Sequence, residues 1–382
     1  MSIYRRKSGR YAVLVDLDPS ALGARRRRSL GTFTTRKEAE RAEREALTAR
    51  DRGVDLAPGV ITVAQLLEQF VKNRESLGRG AKTIEEYQRI ANLYVVPHVG
   101  SVAVAKLRPA MVSAWIATIV ERGGATGKPI SAKTARHAFA LLSSALRWGV
   151  RLELAGRNVC ESVEPPKPPR TEARALRDDE VSRLVAISRG TRWQQFIAIA
   201  LASGARRGEL LALTWDDVDL QERRMTIAAS LSQTAARVFL KTTKTDRRRI
   251  VPLSTGMLAA FRAQRAMQAA DRLRTGRHYA ADANAVFTDE LGQRYSPKSA
   301  TNAIARLATA AGIETTSLHA LRHTAASLLI GSGVDVRTAA AILGHSNASV
   351  TLSVYAHVVE GSERAAIDLL GDRLERAGGS AS

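Results

Sequence analysis

The sequence contains a single cysteine, Cys160, and lacks any long apolar run. One cysteine cannot form an intramolecular disulfide, which is typical of proteins in a reducing compartment. No segment reaches the ~18 uninterrupted apolar residues that a membrane-spanning helix needs. The N-terminus also lacks the apolar stretch of a secretory signal peptide. We therefore expect a soluble cytoplasmic protein that is neither a disulfide scaffold nor a membrane protein.

Motifs for metal and nucleotide chemistry are missing as well. His319 and His323 have the spacing of two zinc ligands on a helix, but Ala320 stands where the zincin motif needs a glutamate. No cysteine cluster or acidic pair supplies other metal ligands, and the sequence contains no Walker loop for binding a nucleotide. The sequence therefore predicts no metal and no cofactor.

Acidic residues are too few to balance the basic ones, and the net charge is +21 over 382 residues. The excess is spread along the chain rather than confined to a tail. An extended polyanion such as DNA is the partner that this distribution favours. A solubilised, arginine-rich surface would explain the arginine usage but not the large surplus of positive charge. The length is enough for two or three domains.

The first part of the chain predicts a small basic sheet followed by a helix. Residues 3–33 contain β-rich runs separated by turn residues, and Thr35 with Glu38 forms a capping box ahead of a helix to Asp51. A basic sheet can enter a DNA groove, whereas the alternative is a charged surface hairpin. The candidate DNA-binding residues that flank the strands are Arg5, Arg6, Arg25 and Arg26.

Residues 61–150 predict a bundle of about four helices. Thr83 and Glu86 form a second potential capping box at the start of a helix. Pro97–Gly100 is expected to break that helix. Basic positions on the outer faces add further candidate DNA-binding residues, namely Lys82, Lys133 and Arg136.

Glu164–Arg170 contains four prolines and predicts a stiff linker. Beyond it, helices are expected at Asp178–Ser188 and Trp193–Ser203, three short strands between Met225 and Leu253, and a short buried strand at Val286–Phe287.

The residues that carry chemistry lie between Ser317 and His357, on three apolar helical segments. His319 and Arg322 are three apart and share one helix face, while Gly344 is a helix stop that places His345 on a turn. A tyrosine such as Tyr355 needs a basic or cationic neighbour to act as a nucleophile, and the planar fork of arginine matches a phosphate. Each residue alone is more often a packing residue, but together they predict attack by tyrosine on a phosphodiester.

These motifs resemble the C-terminal signature of tyrosine recombinases, the phage integrase family, and in particular the integrases of actinobacterial phages or integrative elements. The matching strings are His319-x-x-Arg322, Leu343-Gly344-His345, Tyr355 and an upstream box from Ser203 to Leu210. The resemblance is strong over roughly the last 210 residues and looser over the rest.

The resemblance implies a catalytic set of Arg206, Lys244, His319, Arg322, His345 and Tyr355. Arg206 is preferred to its neighbour Arg207 because the family arginine lies two residues after the glycine. Lys244 lies eight residues before Pro252, as the family lysine does, and Lys241 remains an alternative. We expect structural roles for His323 and His357.

The resemblance also implies a multidomain, mainly α fold with a small N-terminal three-stranded β-sheet. The expected parts are an arm-site DNA-binding domain (1–55, the sheet plus a helix), a helical core-binding, SAM-like domain (60–155), a Pro-rich linker (156–173), a mixed α+β catalytic domain of the tyrosine recombinase type (174–375) and a disordered tail (376–382).

The activity implied is site-specific recombination through a 3′-phosphotyrosine intermediate, without metal or ATP, which integrates and excises a phage or mobile element. Its partners would be double-stranded DNA at core and arm attachment sites, a homotetramer on two duplexes, a recombination directionality factor and a host DNA-bending protein. The protein would then be cytoplasmic and associated with the nucleoid. Three alternatives stay open: a Xer-type resolvase, which generally lacks the basic N-terminal sheet, a type IB topoisomerase-like enzyme, and a non-catalytic DNA-binding protein.

Overall fold

A computed structural model describes residues 2–6, 9–17, 26–51, 61–169, 174–242, 248–280, 284–314, 317–344, 367–368 and 371. The chain divides into two compact units, Met1–Pro169 and Arg170–Ser382. Within the described ranges, none of the helices combines the length and the apolar composition that crossing a membrane requires.

The first unit opens with the predicted three-stranded sheet, which is confirmed. Its three strands are antiparallel and lie side by side in chain order. Val13 pairs with Gly31 and Leu14 with Ser29, so Leu30 is the extra residue of a bulge in the third strand. The capping box is also confirmed, because the amide of Glu38 donates to Thr35 Oγ1 and the amide of Thr35 donates to Glu38 Oε2. The elements are β1 (Ser2–Arg5), β2 (Tyr11–Leu17), β3 (Arg26–Phe33) and α1 (Arg36–Asp51).

A helical bundle follows, with its own core. Phe70, Leu142 and Leu146 are fully buried there, and the indole of Trp115 donates to the carbonyl of Tyr94 at 2.6 Å. The helices are α2 (Val63–Ser76), α3 (Ala81–Ile90), α4 (Val96–Val99), α5 (Pro109–Arg122) and α6 (Ala132–Arg151).

Of two sequence predictions for the bundle, one is wrong and one is confirmed. The expected capping box at Thr83 is wrong, because α3 begins at Ala81 with Gly80 as its N-cap. The expected end of this helix within Pro97–Gly100 is confirmed, because the helical run continues from α3 through a π-helical segment, Ala91–Val95, into α4 and ends at Gly100. A proline cannot donate to the preceding turn, and the carbonyl of Leu93 instead accepts a hydrogen bond from the amide of Ala125.

In the second unit, the described residues form seven α-helices and two small antiparallel sheets. The strands form a three-stranded sheet in the order β4-β5-β8 and a separate pair, β6-β7. The helices are α7 (Asp178–Ser188), α8 (Gln194–Ser203), α9 (Arg207–Ala212), α10 (Thr255–Thr275), α11 (Pro297–Ala310), α12 (Leu318–Gly331) and α13 (Val336–Leu343). The strands are β4 (Val218–Asp219), β5 (Arg224–Ile227), β6 (Ala229–Gln233), β7 (Val238–Thr242) and β8 (Arg249–Pro252).

The core of this unit is built around α8. Phe196 is fully buried and packs edge-on against Phe287, with ring centroids 5.0 Å apart. Val286 and Phe287 are buried as expected, but the strand predicted there is wrong: they form a bend between two isolated bridges, Thr214 to Ala285 and Thr288 to Arg294. In this unit α8 packs against α12, and α12 packs against α13.

Candidate active site

Gly204 forms the turn that brings the upstream box against the last two helices. It ends α8 in the left-handed conformation, with φ +59°. A Cβ atom at this position would lie 2.4 Å from Leu343 Cδ2 and 3.2 Å from Ala325 Cβ. Glycine is therefore required both by the backbone conformation and by the close approach of α12 and α13. The turn leads directly to Arg206, the N-cap of α9.

The side chain of Arg206 joins Glu209 to the turn that ends α13. Nη1 donates to Glu209 Oε1 at 2.8 Å, and Nη2 donates to the carbonyl of Gly344 at 3.0 Å. The backbone amide of Arg206 also donates to Glu209 Oε2 at 2.8 Å. The Arg206 side chain keeps 41% of its surface exposed, whereas Glu209 is buried. The guanidinium is thus fixed through both terminal nitrogens, while the side chain stays partly accessible to solvent.

Arg322 approaches the same turn from α12 and is almost completely buried, at 3% exposure. Its Nη1 donates to the carbonyl of Gly204 at 2.8 Å and to the carbonyl of Leu343 at 2.7 Å. Arg322 and Arg206 therefore bond adjacent carbonyls, those of Leu343 and Gly344, at the end of α13. The guanidinium groups of Arg206 and Arg322, which are far apart in the sequence, thus both bind the turn that ends α13.

His319 lies one helical turn before Arg322, on the exposed side of α12. Partial desolvation and then the positive charges of Arg322, Arg206 and Arg207 lower the pKa of His319 below its ordinary 6.5. Its imidazole is therefore neutral at pH 7 and can accept a proton. The ring of His323 meets that of His319 edge-on, with centroids 5.3 Å apart, and desolvation, followed by His319 and Arg322, lowers the pKa of His323 as well.

The two alternative site residues, Arg207 and Lys241, lie on other elements of the second unit. Nη1 of Arg207 donates to Thr301 Oγ1 on α11. Lys241 lies on β7 opposite Ser230. The remaining members of the predicted set lie outside the described residues, namely Lys244, His345 and Tyr355. The structure therefore brings together Arg206, His319 and Arg322, at the turn from which the chain continues to His345.

The predicted DNA-binding residues of the first unit lie mostly on its surface. Arg5 and Arg6 are exposed beside β1, Arg26 is the first residue of β3, and Arg25 lies outside the described residues. Lys82 at the start of α3 pairs with Glu85 at 2.6 Å. Lys133 and Arg136 are exposed on the neighbouring helix α6.

One residue of the site, Arg249, was missed by the sequence interpretation. It lies on β8, and its side chain is only 14% exposed. Both of its terminal nitrogens donate to Glu209, at 3.0 and 2.6 Å. The period-two pattern of the predicted strand could have indicated that Arg249 faces inward, because it alternates with the exposed Ile250 and lies on the same face as the buried Val251.

The charges at this site suit a phosphate. Arg206 and Arg322 provide fixed cations with many donors, and the neutral His319 provides a proton acceptor beside them. Among the residues that the structure describes, no three His, Cys, Asp or Glu side chains are grouped as a metal site would need.

Comparison with known proteins identifies the second unit. The profile of the Phage integrase family matches residues 174–361. A XerC-like tyrosine recombinase of Caldanaerobacter subterraneus subsp. tengcongensis is 23% identical over 88% of this chain and 90% of its own length. An integrase of Streptomyces ambofaciens is 26% identical over 85% of this chain and 84% of its own length.

Solved structures share the fold. The Tn1549 transposon integrase in complex with a circular intermediate DNA superimposes with a TM-score of 0.67, at 21% identity, over 81% of this chain and 99% of that one. A lambda integrase tetramer bound to a Holliday junction superimposes with a TM-score of 0.59, at 16% identity, over 91% of this chain and 94% of that one. The predicted fold class, mainly helical with small β-sheets, is confirmed. The chain belongs to the phage integrase family of tyrosine recombinases, the enzymes of site-specific DNA recombination.

Proposed function

We propose that this protein is an integrase that cuts and rejoins DNA through a covalent bond between Tyr355 and the 3′ phosphate of the broken strand. The observation that carries the proposal is the meeting of Arg206 and Arg322 at the carbonyls of Gly344 and Leu343. A tyrosine nucleophile needs its target phosphate held by cations, and His345 follows this turn directly in the sequence.

The reaction exchanges one phosphodiester for another. The phenolic oxygen of Tyr355 attacks the phosphorus, a new bond forms between them, and the bond from phosphorus to the 5′ oxygen breaks. The 5′ hydroxyl of a partner strand then attacks the phosphotyrosine and releases Tyr355. Because the number of phosphoester bonds is conserved, the reaction needs no ATP, and the protein side chains supply the proton transfers without a metal.

The two arginines would stabilise the negative charge that grows on the non-bridging oxygens in the transition state. Such charge stabilisation is effective when the donors are fixed before the reaction, and losing one donor commonly costs ~3–4 kcal/mol. Arg322 is fixed by two carbonyls, and Arg206 by Glu209 and Gly344. His345 would add a donor to a non-bridging oxygen.

Proton transfer would involve His319 and Lys244. The lowered pKa of His319 keeps its imidazole neutral, so it can accept the proton of the tyrosine or support the phosphate. Lys244 would protonate the leaving 5′ oxygen, whose departure as an alkoxide is otherwise costly. Lys241 on β7 is the alternative donor.

The first unit would bind DNA outside the reacting phosphate. The exposed Lys133 and Arg136 on α6 and Lys82 on the neighbouring α3 suit a role in core-site binding, and the basic sheet with Arg5 and Arg6 suits arm-site binding. The active assembly would be a homotetramer on two duplexes, which is supported by the shared fold of the lambda integrase tetramer bound to a Holliday junction. A directionality factor and a DNA-bending host protein would complete the reaction.

A Xer-type resolvase is the second candidate, because several matching proteins are tyrosine recombinases named XerC or XerD. XerD of Mycobacterium tuberculosis, for example, is 28% identical over 72% of this chain. The basic sheet of β1 to β3 favours the integrase instead, because an enzyme with only core sites has no use for a second DNA-binding domain. Recombination between an element's attachment site and a chromosomal site, rather than between two chromosome-dimer sites, distinguishes the two.

The test uses a nicked suicide substrate built from DNA at the junctions of the integrated element. The wild-type protein is expected to form a covalent adduct that survives denaturation. Tyr355→Phe should retain DNA binding and form none, since it lacks only the phenolic oxygen. An adduct formed by Tyr355→Phe would assign the nucleophile to another residue and contradict the proposal.

A further inference from the structure

The side chain of Arg249 bonds two separate parts of the candidate active site. Its Nη1 and Nη2 donate to the two carboxylate oxygens of Glu209, at 3.0 and 2.6 Å, and its Nε donates to the carbonyl of Ile342 at 3.2 Å. A bidentate bond between arginine and carboxylate fixes the plane of both groups. Arg249 therefore joins β8 to α9 and to the last turn of α13.

Glu209 is shared between Arg249 and Arg206. It also accepts from Nη1 and from the backbone amide of Arg206, both at 2.8 Å. Burial alone would raise the pKa of Glu209, but the hydrogen bonds and charge of Arg249, and then those of Arg206, lower it below its ordinary value. The carboxylate is therefore charged at neutral pH and held in one orientation, and this orientation sets where the guanidinium of Arg206 lies.

Arg249 also packs against Gly344. That glycine has φ +70°, and a Cβ atom on it would lie 2.5 Å from Nη1 of Arg249. The carbonyl of Gly344 is the one that accepts from Nη2 of Arg206. One guanidinium thus fixes both partners of Arg206, the carboxylate on one side and the glycine turn on the other.

We propose that Arg249 is a positioning residue for cleavage, which holds Arg206 in the reactive arrangement by fixing Glu209 and the Gly344 turn, and does not itself contact DNA. Each of its three nitrogens already donates to a protein oxygen, two to Glu209 and one to the carbonyl of Ile342. The inference rests on the proposed function, because it assumes that Arg206 binds the scissile phosphate.

The experiment compares Arg249→Ala, Arg206→Ala and the double variant in single-turnover cleavage at saturating DNA. A displacement of about 1 Å at a catalytic group can cost a factor of about 10² in rate, so Arg249→Ala should slow cleavage by a factor on the order of 10 to 10². DNA affinity should not change. In the Arg206→Ala background the same substitution should have no further effect, because its influence passes through Arg206.

Two further variants separate positioning from folding. Arg249→Lys keeps the positive charge beside Glu209 and should remain folded, but an ammonium cannot reproduce the two-pronged bond, so cleavage should still be slower than in the wild type. Arg192→Ala is the matched control, because Arg192 is 20% exposed and donates to the buried carboxylate of Asp271 at 2.6 Å, as Arg249 does to Glu209. It should lower the melting temperature without changing the cleavage rate of folded protein.

The outcomes distinguish the proposal from the function on which it rests. No adduct with the wild type would refute the proposed function. An adduct with the wild type, together with equal losses from Arg249→Ala in both backgrounds, would show that Arg249 acts independently of Arg206. A wild-type cleavage rate in folded Arg249→Ala and Arg249→Lys would show that it serves stability alone. Either of the last two results overturns the positioning role.

Discussion

Replacing Arg322 with alanine would remove both the contact that joins the Gly204 turn to the end of α13 and a proposed phosphate ligand. Nη1 donates to the carbonyls of Gly204 and Leu343 at 2.8 and 2.7 Å. A hydrogen bond to a charged group contributes ~1.5–3 kcal/mol, so the two together contribute about 3–6 kcal/mol to the free energy of unfolding. For a unit of this size, we expect a melting temperature lower by on the order of 10 °C.

Arg322→Lys separates the structural role from the chemical one. The ammonium keeps the charge and can donate to one or both carbonyls, so the loss of stability should be smaller than with alanine. It has no planar fork to present to a phosphate. We therefore expect the cleavage rate of Arg322→Lys to fall by a factor of about 10² to 10³, in line with the loss of one preorganised donor.

The assays are thermal unfolding and single-turnover cleavage of a nicked substrate, measured at a temperature at which each variant is folded. Thr324→Val is the control on the same helix, because Thr324 Oγ1 accepts a 2.8 Å hydrogen bond from the buried amide of Leu176. This control should be less stable than the wild type and cleave at its rate. Full cleavage activity in Arg322→Lys, or wild-type stability in Arg322→Ala, would refute the reasoning.

Three other predictions address the remaining assignments. Lys244→Ala should slow cleavage of ordinary DNA but not of a substrate with a 5′-sulfur leaving atom, because a thiolate departs without a proton far more readily than an alkoxide; the same pattern with Lys241→Ala would move the role to that residue. Because burial and the neighbouring arginines lower the pKa of His319 in the free protein, cleavage rates at subsaturating DNA should fall in the acid range where His319 takes up a proton, and rates that do not depend on pH there would contradict its role as a proton acceptor. Deleting residues 1–55 should spare core-site cleavage and impair integration, and an unchanged integration frequency would exclude an arm-binding role.

Local patterns in the sequence predicted the elements whose ends are set by nearby residues. Asp178–Ser188 is a helix over that range, and the helix predicted at Trp193–Ser203 is α8 (Gln194–Ser203), which ends at the left-handed Gly204. The predicted strand at Val286–Phe287 was wrong because burial of two apolar residues does not specify strand pairing. Short buried runs of this kind do not determine the backbone conformation.

The sequence predicted that His319 and Arg322 share a helix face, but it did not predict the bond between Arg249 and Glu209. The spacing of His319 and Arg322 is a local property of a helix, and the structure places both beside Arg206. The bond between Arg249 and Glu209 joins residues 40 positions apart, and no local pattern specifies such a partner. The alternation along β8 shows only that Arg249 faces inward.

The most direct measurement is the identity of the residue that becomes joined to DNA. An adduct trapped on a nicked attachment site can be digested with a protease and nuclease and analysed by mass spectrometry. The phosphotyrosine mechanism predicts that the nucleotide is attached to Tyr355. Attachment to any other side chain, or no adduct with DNA from the junctions of the element, would contradict it.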